Sequence, residues 1–256
     1  MDLKLEKKNF VIAGASKGIG AKIAERFLEE GANVILLARN YRRLRSFSTK
    51  LISSFGEDRV LFYSTDCCSL QAYKQTRKKI LSTCKKIDGV ISNVGNGESV
   101  PDPIPSEKNW AKFWSINFDS ALNSSRLFLG DLKKTKGSLI FISSIAGIES
   151  IMAPTDYSVA KSSVNALAKT LSKKVAPEIR VNVVAPGNIY YPGGTWDKKL
   201  KKDAKTVKGY IKDNVPLKRF GLVEEVADSV IFLSSPKCSF TTGSILRVDG
   251  GQTVSI

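Results

Sequence analysis

The sequence predicts one α/β domain, residues 1–256, in which a doubly wound sheet of seven parallel strands is flanked by helices. Three observations predict it. Apolar runs of strand length alternate with stretches at helical spacing along the whole chain. Strand runs such as Asn33–Ala38 are almost uniformly apolar, so both their faces are covered, as in a parallel sheet. No linker of biased composition, internal repeat or low-complexity segment interrupts the alternation. Right-handed crossovers then put helices on both faces.

Asn9–Ala13 reads as the first strand and runs straight into a glycine turn, Gly14 to Gly20. A helix from Ile19 to Glu30 repeats Ile23, Phe27 and Leu28 at helical spacing, and Gly31 closes it as a C-cap. Asn33–Ala38 is the second strand, Asn40–Ser54 a basic helix, Val60–Tyr63 the third strand and Ser69–Leu81 a helix. Gly89–Ser92 is a fourth strand, and the prolines from Pro101 to Pro105 make a loop. Trp110–Leu129 reads as one long amphipathic helix. Leu139–Ser143 is the fifth strand, Tyr157–Lys174 a helix, Arg180–Val184 the sixth strand, Glu224–Leu233 a helix and Ser244–Val248 the last strand. Asn188–Pro216 is the least regular region, with a flexible start at Tyr190–Gly194 and a lysine-rich helical stretch after it.

Composition narrows the function. The 42% hydrophobic fraction is ample for a core, and 40 Lys+Arg against 24 Asp+Glu give a net charge of +16. The lysines are scattered and not interleaved with aromatics, so a solvated basic surface is expected and no specific nucleic-acid partner. Cys67, Cys68, Cys84 and Cys238 show no CxxC spacing, which fits reduced thiols in the cytoplasm. With no histidine, His-ligated metals and His-based triads are excluded, and no metal is expected. No apolar run is long enough to span a membrane, and the first eight residues lack the apolar core of a signal peptide.

Gly14-x-x-x-Gly18-x-Gly20 lies between the first strand and the helix that follows. A tight glycine turn lets the backbone approach a pyrophosphate, and the helix presents its free N–H groups to it. An NAD site wants a carboxylate at the end of the second strand to accept from the ribose 2′-hydroxyl. Ala38 stands there instead, and Arg39 and Lys17 offer two cations for a 2′-phosphate, so NADP(H) is expected over NAD(H).

Tyr157 and Lys161 share one helix face about a turn apart, and Ser144 follows the fifth strand. An ammonium nearby favours the ionised phenol, and a phenol of lowered pKa trades a proton readily with a carbonyl or alcohol. Alone, this spacing also fits an ordinary surface helix; the glycine turn upstream gives it meaning.

Taken together, these motifs resemble the short-chain dehydrogenase/reductase family over essentially the whole chain, from Phe10 to Gly251. Ala13-Gly14-Ala15-Ser16-Lys17-Gly18-Ile19-Gly20 looks like the family's TGxxxGIG, and Ser92-Asn93-Val94-Gly95 like its NNAG. Asn117, Ser144, Tyr157 and Lys161 match the family's catalytic tetrad, and the interval to Tyr157 selects Ser144 over Ser143. Pro186-Gly187 matches the motif beside the nicotinamide, and Val248-Asp249-Gly250-Gly251 resembles the C-terminal subunit-contact motif. The resemblance implies a Rossmann fold and contacts from Gly14, Ser16, Lys17, Gly18, Ile19 and Gly20 to the dinucleotide. It adds Arg39, Asp66 at the adenine, Asn93, the Tyr157 and Lys161 pair, Pro186 and Gly187, and a backbone contact from Ile189. The family's usual threonine beyond that motif is replaced by Tyr191.

What the resemblance implies is hydride transfer to a ketone, with Tyr157 giving the proton, Ser144 bonding the same oxygen, Lys161 holding the ribose and Asn117 holding a water. The nearest pattern is the 3-oxoacyl-acyl-carrier-protein reductase group. A 3-oxoacyl thioester on an acidic acyl carrier protein, steered by lysines of the substrate loop at 187–216, is therefore one expectation. Sugars, steroids and small secondary alcohols stay open as substrates, as does a non-catalytic dinucleotide-binding protein. A homotetramer or homodimer is implied.

Overall fold

In the computed structural model, which describes residues 1–255, the strands are apolar runs that pair side by side in parallel. In chain order the elements begin β1 (Asn9–Ala13), α1 (Gly18–Glu29), β2 (Asn33–Ala38), α2 (Tyr41–Phe55), β3 (Val60–Ser64), α3 (Leu70–Thr83) and β4 (Gly89–Ser92). They continue with α4 (Glu107–Trp114), α5 (Ser120–Thr135), β5 (Ser138–Ile142), α6 (Thr155–Val175) and β6 (Arg180–Pro186). The chain then forms β7 (Ile189–Tyr190), α7 (Thr195–Lys202), α8 (Ala204–Asn214), β8 (Gly221–Leu222), α9 (Val223–Ser234) and β9 (Ile245–Val248).

Among the described residues, the main sheet has seven strands in the order β3-β2-β1-β4-β5-β6-β9, and each neighbouring pair is parallel. The strand order reverses between β1 and β4, and ligands of open α/β sheets bind in that crevice, beyond the carboxyl ends of the strands. The expected doubly wound sheet is thus the observed one. Its two faces follow from the two-residue period of a strand. Phe10 and Ile12 of β1 pack into one core with Ile23 and Phe27 of α1, Leu44 of α2 and Val230 of α9. Val11 and Ala13 turn to the other, against Tyr73 of α3, Phe128 of α5 and Val164 of α6. The Phe10 and Phe27 rings stack at 3.9 Å, holding α1 on β1.

Two regions depart from the expected elements. The long helix over Trp110–Leu129 is not uniform: α4 passes into α5 through a π-helical turn at Ser115–Asp119, with Asn117 in its middle. Such one-turn bulges insert a residue into the α ladder and are frequent at functional sites. The region after β6 is more ordered than its sequence suggests. Its lysine-rich stretch is two helices, α7 and α8, and β7 pairs with β8 in a small parallel ladder. Asp197, buried at the start of α7, accepts from Tyr190 Oη, Gly193 N and Lys201 Nζ and so ties this region together. Among the described residues, no helix is long and apolar enough to cross a membrane.

Candidate active site

A cavity of about 800 Å³ opens along the carboxyl ends of the strands. Its first wall is the glycine turn. Gly14 and Gly18 adopt left-handed backbone, φ +81° and +56°, which suits glycine, and the Gly14 and Ala15 N–H groups donate to the Leu37 carbonyl. A methyl group at Gly20 would overlap the Gly14 carbonyl oxygen, so this glycine lets α1 start directly on the turn. Asn93 Nδ2 donates to Gly14 O at 3.0 Å and ties the end of β4 to that turn.

The N-terminus of α1 is left ready for an anion. Lys17 precedes the helix with no capping side-chain bond, and its first turn carries no acidic residue among the described ones. Free N–H groups and the positive end of the helix dipole therefore face outward. Ser16, Lys17 and Ile19 line the cavity, whereas Gly20 packs on the Gly14 carbonyl and Gly18 faces the ring of Tyr191. Beyond β2, Ala38, Arg39, Asn40 and Arg43 form the far end. Arg43 and Asn40 extend the expected set: Asn40 Oδ1 caps α2 by accepting from Arg43 N, and this places Arg43 one turn beyond Arg39. Basic character on the first turn of that helix was the signal for it. Asp66 lines the same end and accepts from Cys68 N, and beside it the buried Thr65 hydroxyl has no hydrogen-bond partner among the described residues. An uncapped helix start, a cluster of cations and an orphaned hydroxyl fit a phosphorylated dinucleotide along this wall.

Ser144, Tyr157 and Lys161 all line the cavity, with the Ser144 and Tyr157 side chains in contact. Ser144 follows β5 and starts a short 3₁₀ turn, its Oγ accepting from Ala146 N at 3.1 Å. One lone pair is thereby engaged and the hydroxyl proton stays free to donate. α6 brings Tyr157 and Lys161 to the same place. Lys161 is 4% exposed, its Nζ donates to the Ile142 carbonyl at 2.9 Å, and Ser143 Oγ donates to the Lys161 carbonyl.

The electrostatics correct one expectation. Lys161 was expected to lower the Tyr157 pKa; instead burial pushes the phenol above its ordinary value, with the Ser144 hydroxyl opposing this only in part. Burial also pushes the Lys161 ammonium down to about 8. The cause is geometric. Nζ lies 5.8 Å from the Tyr157 ring centre and is turned to the Ile142 carbonyl, and both groups have lost water. A phenol in this state is neutral at physiological pH, which is the form that gives a proton.

Asn117 does not line the cavity. It is 1% exposed, its Oδ1 accepts from Asn96 N, and its Nδ2 donates to Asn96 O and Phe113 O. Its side chain therefore fixes the backbone of the loop after β4, beside Lys161. Pro186, Gly187 and Ile189 line the cavity at the end of β6, and Gly187 N donates to Val248 O. The remaining wall is apolar and aromatic: Ile151, Met152, Val207, and Trp196 stacked on Tyr210 at 5.7 Å. Tyr190 packs on Phe220 and bonds Asp197.

A protein-family profile described as Enoyl-(Acyl carrier protein) reductase matches residues 14–253. The chain is 32% identical over 252 residues to a 3-oxoacyl-acyl-carrier-protein reductase of Chlamydia trachomatis, covering 97% of this chain and 98% of that one. It is 34% identical over 260 residues to a tropinone reductase homolog of Arabidopsis thaliana, covering 98% and 93%. Among solved structures, L-sorbose reductase from Gluconobacter frateurii, complexed with NADPH and L-sorbose, matches with a TM-score of 0.92 and 30% identity over 100% of both chains.

Proposed function

Because this chain belongs to the short-chain dehydrogenase/reductase family, we propose that it reduces a ketone to a secondary alcohol with Tyr157 as the proton donor. It is an NADP(H)-dependent oxidoreductase, and ketones and alcohols are its class of substrate. The observation that carries the proposal is the half-buried Tyr157 side chain standing with Ser144 and Lys161 on the lining of one cavity, its phenol pushed above the ordinary value by desolvation.

Bound NADPH supplies the hydride. Ser16, Lys17, Ile19, Arg39 and Arg43 would hold its phosphate-bearing end, and Pro186, Gly187 and Ile189 would line the nicotinamide end. Ser144 donates its free proton to the substrate oxygen and stabilises the charge that develops there. Tyr157 donates the proton that completes the alcohol. Lys161 keeps one N–H on the Ile142 carbonyl, which leaves its other donors for the ribose hydroxyls. Asn117 acts through Asn96 as a positioning residue.

Within the ketones, the reading favoured here is a 3-oxoacyl thioester carried by an acidic acyl carrier protein. The relative from Chlamydia trachomatis supports it, as do the lysines that α7 and α8 expose beside the apolar wall. A sugar or other small secondary alcohol is the second reading, favoured by the match to L-sorbose reductase over the full length of both chains. The protein acts in the cytoplasm as one domain and as a homotetramer or homodimer, with the outer edge of β9, where Ile245 and Leu246 are exposed, as a contact surface. The test is a panel of 3-oxoacyl thioesters, ketoses and simple ketones followed by NADPH absorbance. Turnover of ketoses alone would overturn the thioester reading, and turnover of none would overturn the reductase.

A further inference from the structure

We propose that Tyr191 is a crossbar over the dinucleotide trough, a gate that must lift each time the cofactor enters or leaves. This rests on the dinucleotide reading above and goes beyond it by naming the side chain that controls exchange.

Tyr191 belongs to the segment after β7, yet its ring reaches the opposite wall. A methyl group added at Gly18 would stand 2.7 Å from Tyr191 Cζ, and one added at Gly194 would stand 2.8 Å from the same atom. The ring is therefore held between two glycines, one at the start of α1 and one in its own turn, and each leaves just enough room for it. Gly18 is the first residue of α1, whose N–H groups are the natural seat of a pyrophosphate. Tyr191 also lines the cavity whose walls include Ser16, Lys17 and Ile19 on one side and Gly194 and Thr195 on the other. An extended dinucleotide reaching from Arg39 to Tyr157 must pass this ring.

A second tie spans the same gap. Lys198 Nζ donates to Glu98 Oε1 at 2.8 Å, and Thr195 Oγ1 donates to the same oxygen at 3.5 Å. Glu98 lies in the loop after β4, whereas Thr195 and Lys198 lie on α7. The ion pair is exposed, so it is weak and opens readily. The segment also has a hinge: Gly193 takes a left-handed φ of +75°, and its N–H is anchored on Asp197 at the far end. Small hinges of this kind absorb the backbone change when a loop opens.

The test uses the full chain and stopped-flow fluorescence of NADPH binding. In Tyr191→Ala and Tyr191→Thr, kon and koff should both rise roughly tenfold while Kd moves by less than about threefold, because a gate raises the same barrier in both directions. Tyr191→Phe should keep wild-type rates, since the ring and not the hydroxyl spans the gap. Glu98→Gln should raise both rates by a smaller factor. Unchanged rates in Tyr191→Ala and Tyr191→Thr would overturn the proposal. So would a rise in koff alone with a matching loss of affinity, which would make the ring a cofactor contact. Failure of the wild-type chain to bind NADPH would overturn the dinucleotide reading itself, and it is seen before any variant is compared.

Discussion

Lys161 Nζ stands 5.8 Å from the ring centre of Tyr157 and donates to the carbonyl of Ile142, so α6 places the two side chains together without joining them directly. The end of β5 thus holds the cation that was expected to lower the phenol pKa. Desolvation favours the protonated Tyr157, and Lys161 lines the cavity with one N–H engaged by Ile142. The division of labour in the site follows from this arrangement.

Replacing Tyr157 by Phe removes the proton donor and little else. Turnover should fall by roughly a thousandfold, within the range for losing a positioned acid, while Kd for NADPH stays close to wild type. Steady-state assays with fluorescence titration check both, and an unchanged kcat would remove Tyr157 from the mechanism.

The Lys161 ammonium is intact well below about 8 and lost above it, so kcat/KM for reduction should fall as pH rises through that value. Stability should move the other way. The unfolded chain keeps this lysine charged up to its ordinary 10.5, so between about 8 and 10.5 it binds more protons than the folded one. Over that window the Lys161 contribution to stability rises with pH. Profiles of kcat/KM and urea melts from pH 7 to 10 separate the two, and Lys161→Met should flatten both.

Arg39→Ala should raise KM for NADPH about tenfold and leave KM for NADH nearly unchanged, because a 2′-phosphate loses a cation that a 2′-hydroxyl never used. Arg43 remains at the same end of the cavity and limits the loss. Equal effects on the two cofactors would mean that Arg39 does not read the phosphate.

Gly20→Ala puts a methyl group onto the Gly14 carbonyl oxygen and against Asn93 Nδ2, and backbone on one side cannot give way. A destabilisation of about 1–3 kcal/mol is expected, as for other overpacked sites, with weaker NADPH binding because the glycine turn must shift. Thermal melts with and without NADPH check this.

The strands were legible because each is an apolar run bounded by breakers: Asn9–Ala13, Asn33–Ala38 and Gly89–Ser92 match their expected bounds to the residue. The cavity was legible where chemistry is tied to spacing: of the expected residues from Gly14 to Ile189, all but Gly18, Gly20 and Asn117 line it. Less visible was anything set by packing between distant segments. The π turn leaves no mark in the periodicity around Asn117, since the extra residue stays within a helical pattern. Nor does the sequence show that the Asn117 amide turns to Asn96, that Tyr191 crosses to Gly18, or that burial outweighs the Ser144 hydroxyl at Tyr157. Each of these depends on where two parts of the chain meet.

The π turn also has a consequence for how this chain tolerates change. An α-helix advances about 100° per residue, and the bulge at Ser115–Asp119 holds one residue more than an α turn would. Losing one residue there would close the ladder into a plain α-helix and leave α5 in phase, because the bulge is what absorbs the extra residue. Phe128 and Leu132 would therefore stay in the core they now share with the sheet. A deletion in this span would thus spare the packing of α5 and cost the presentation of Asn117, whose amide now holds the Asn96 backbone.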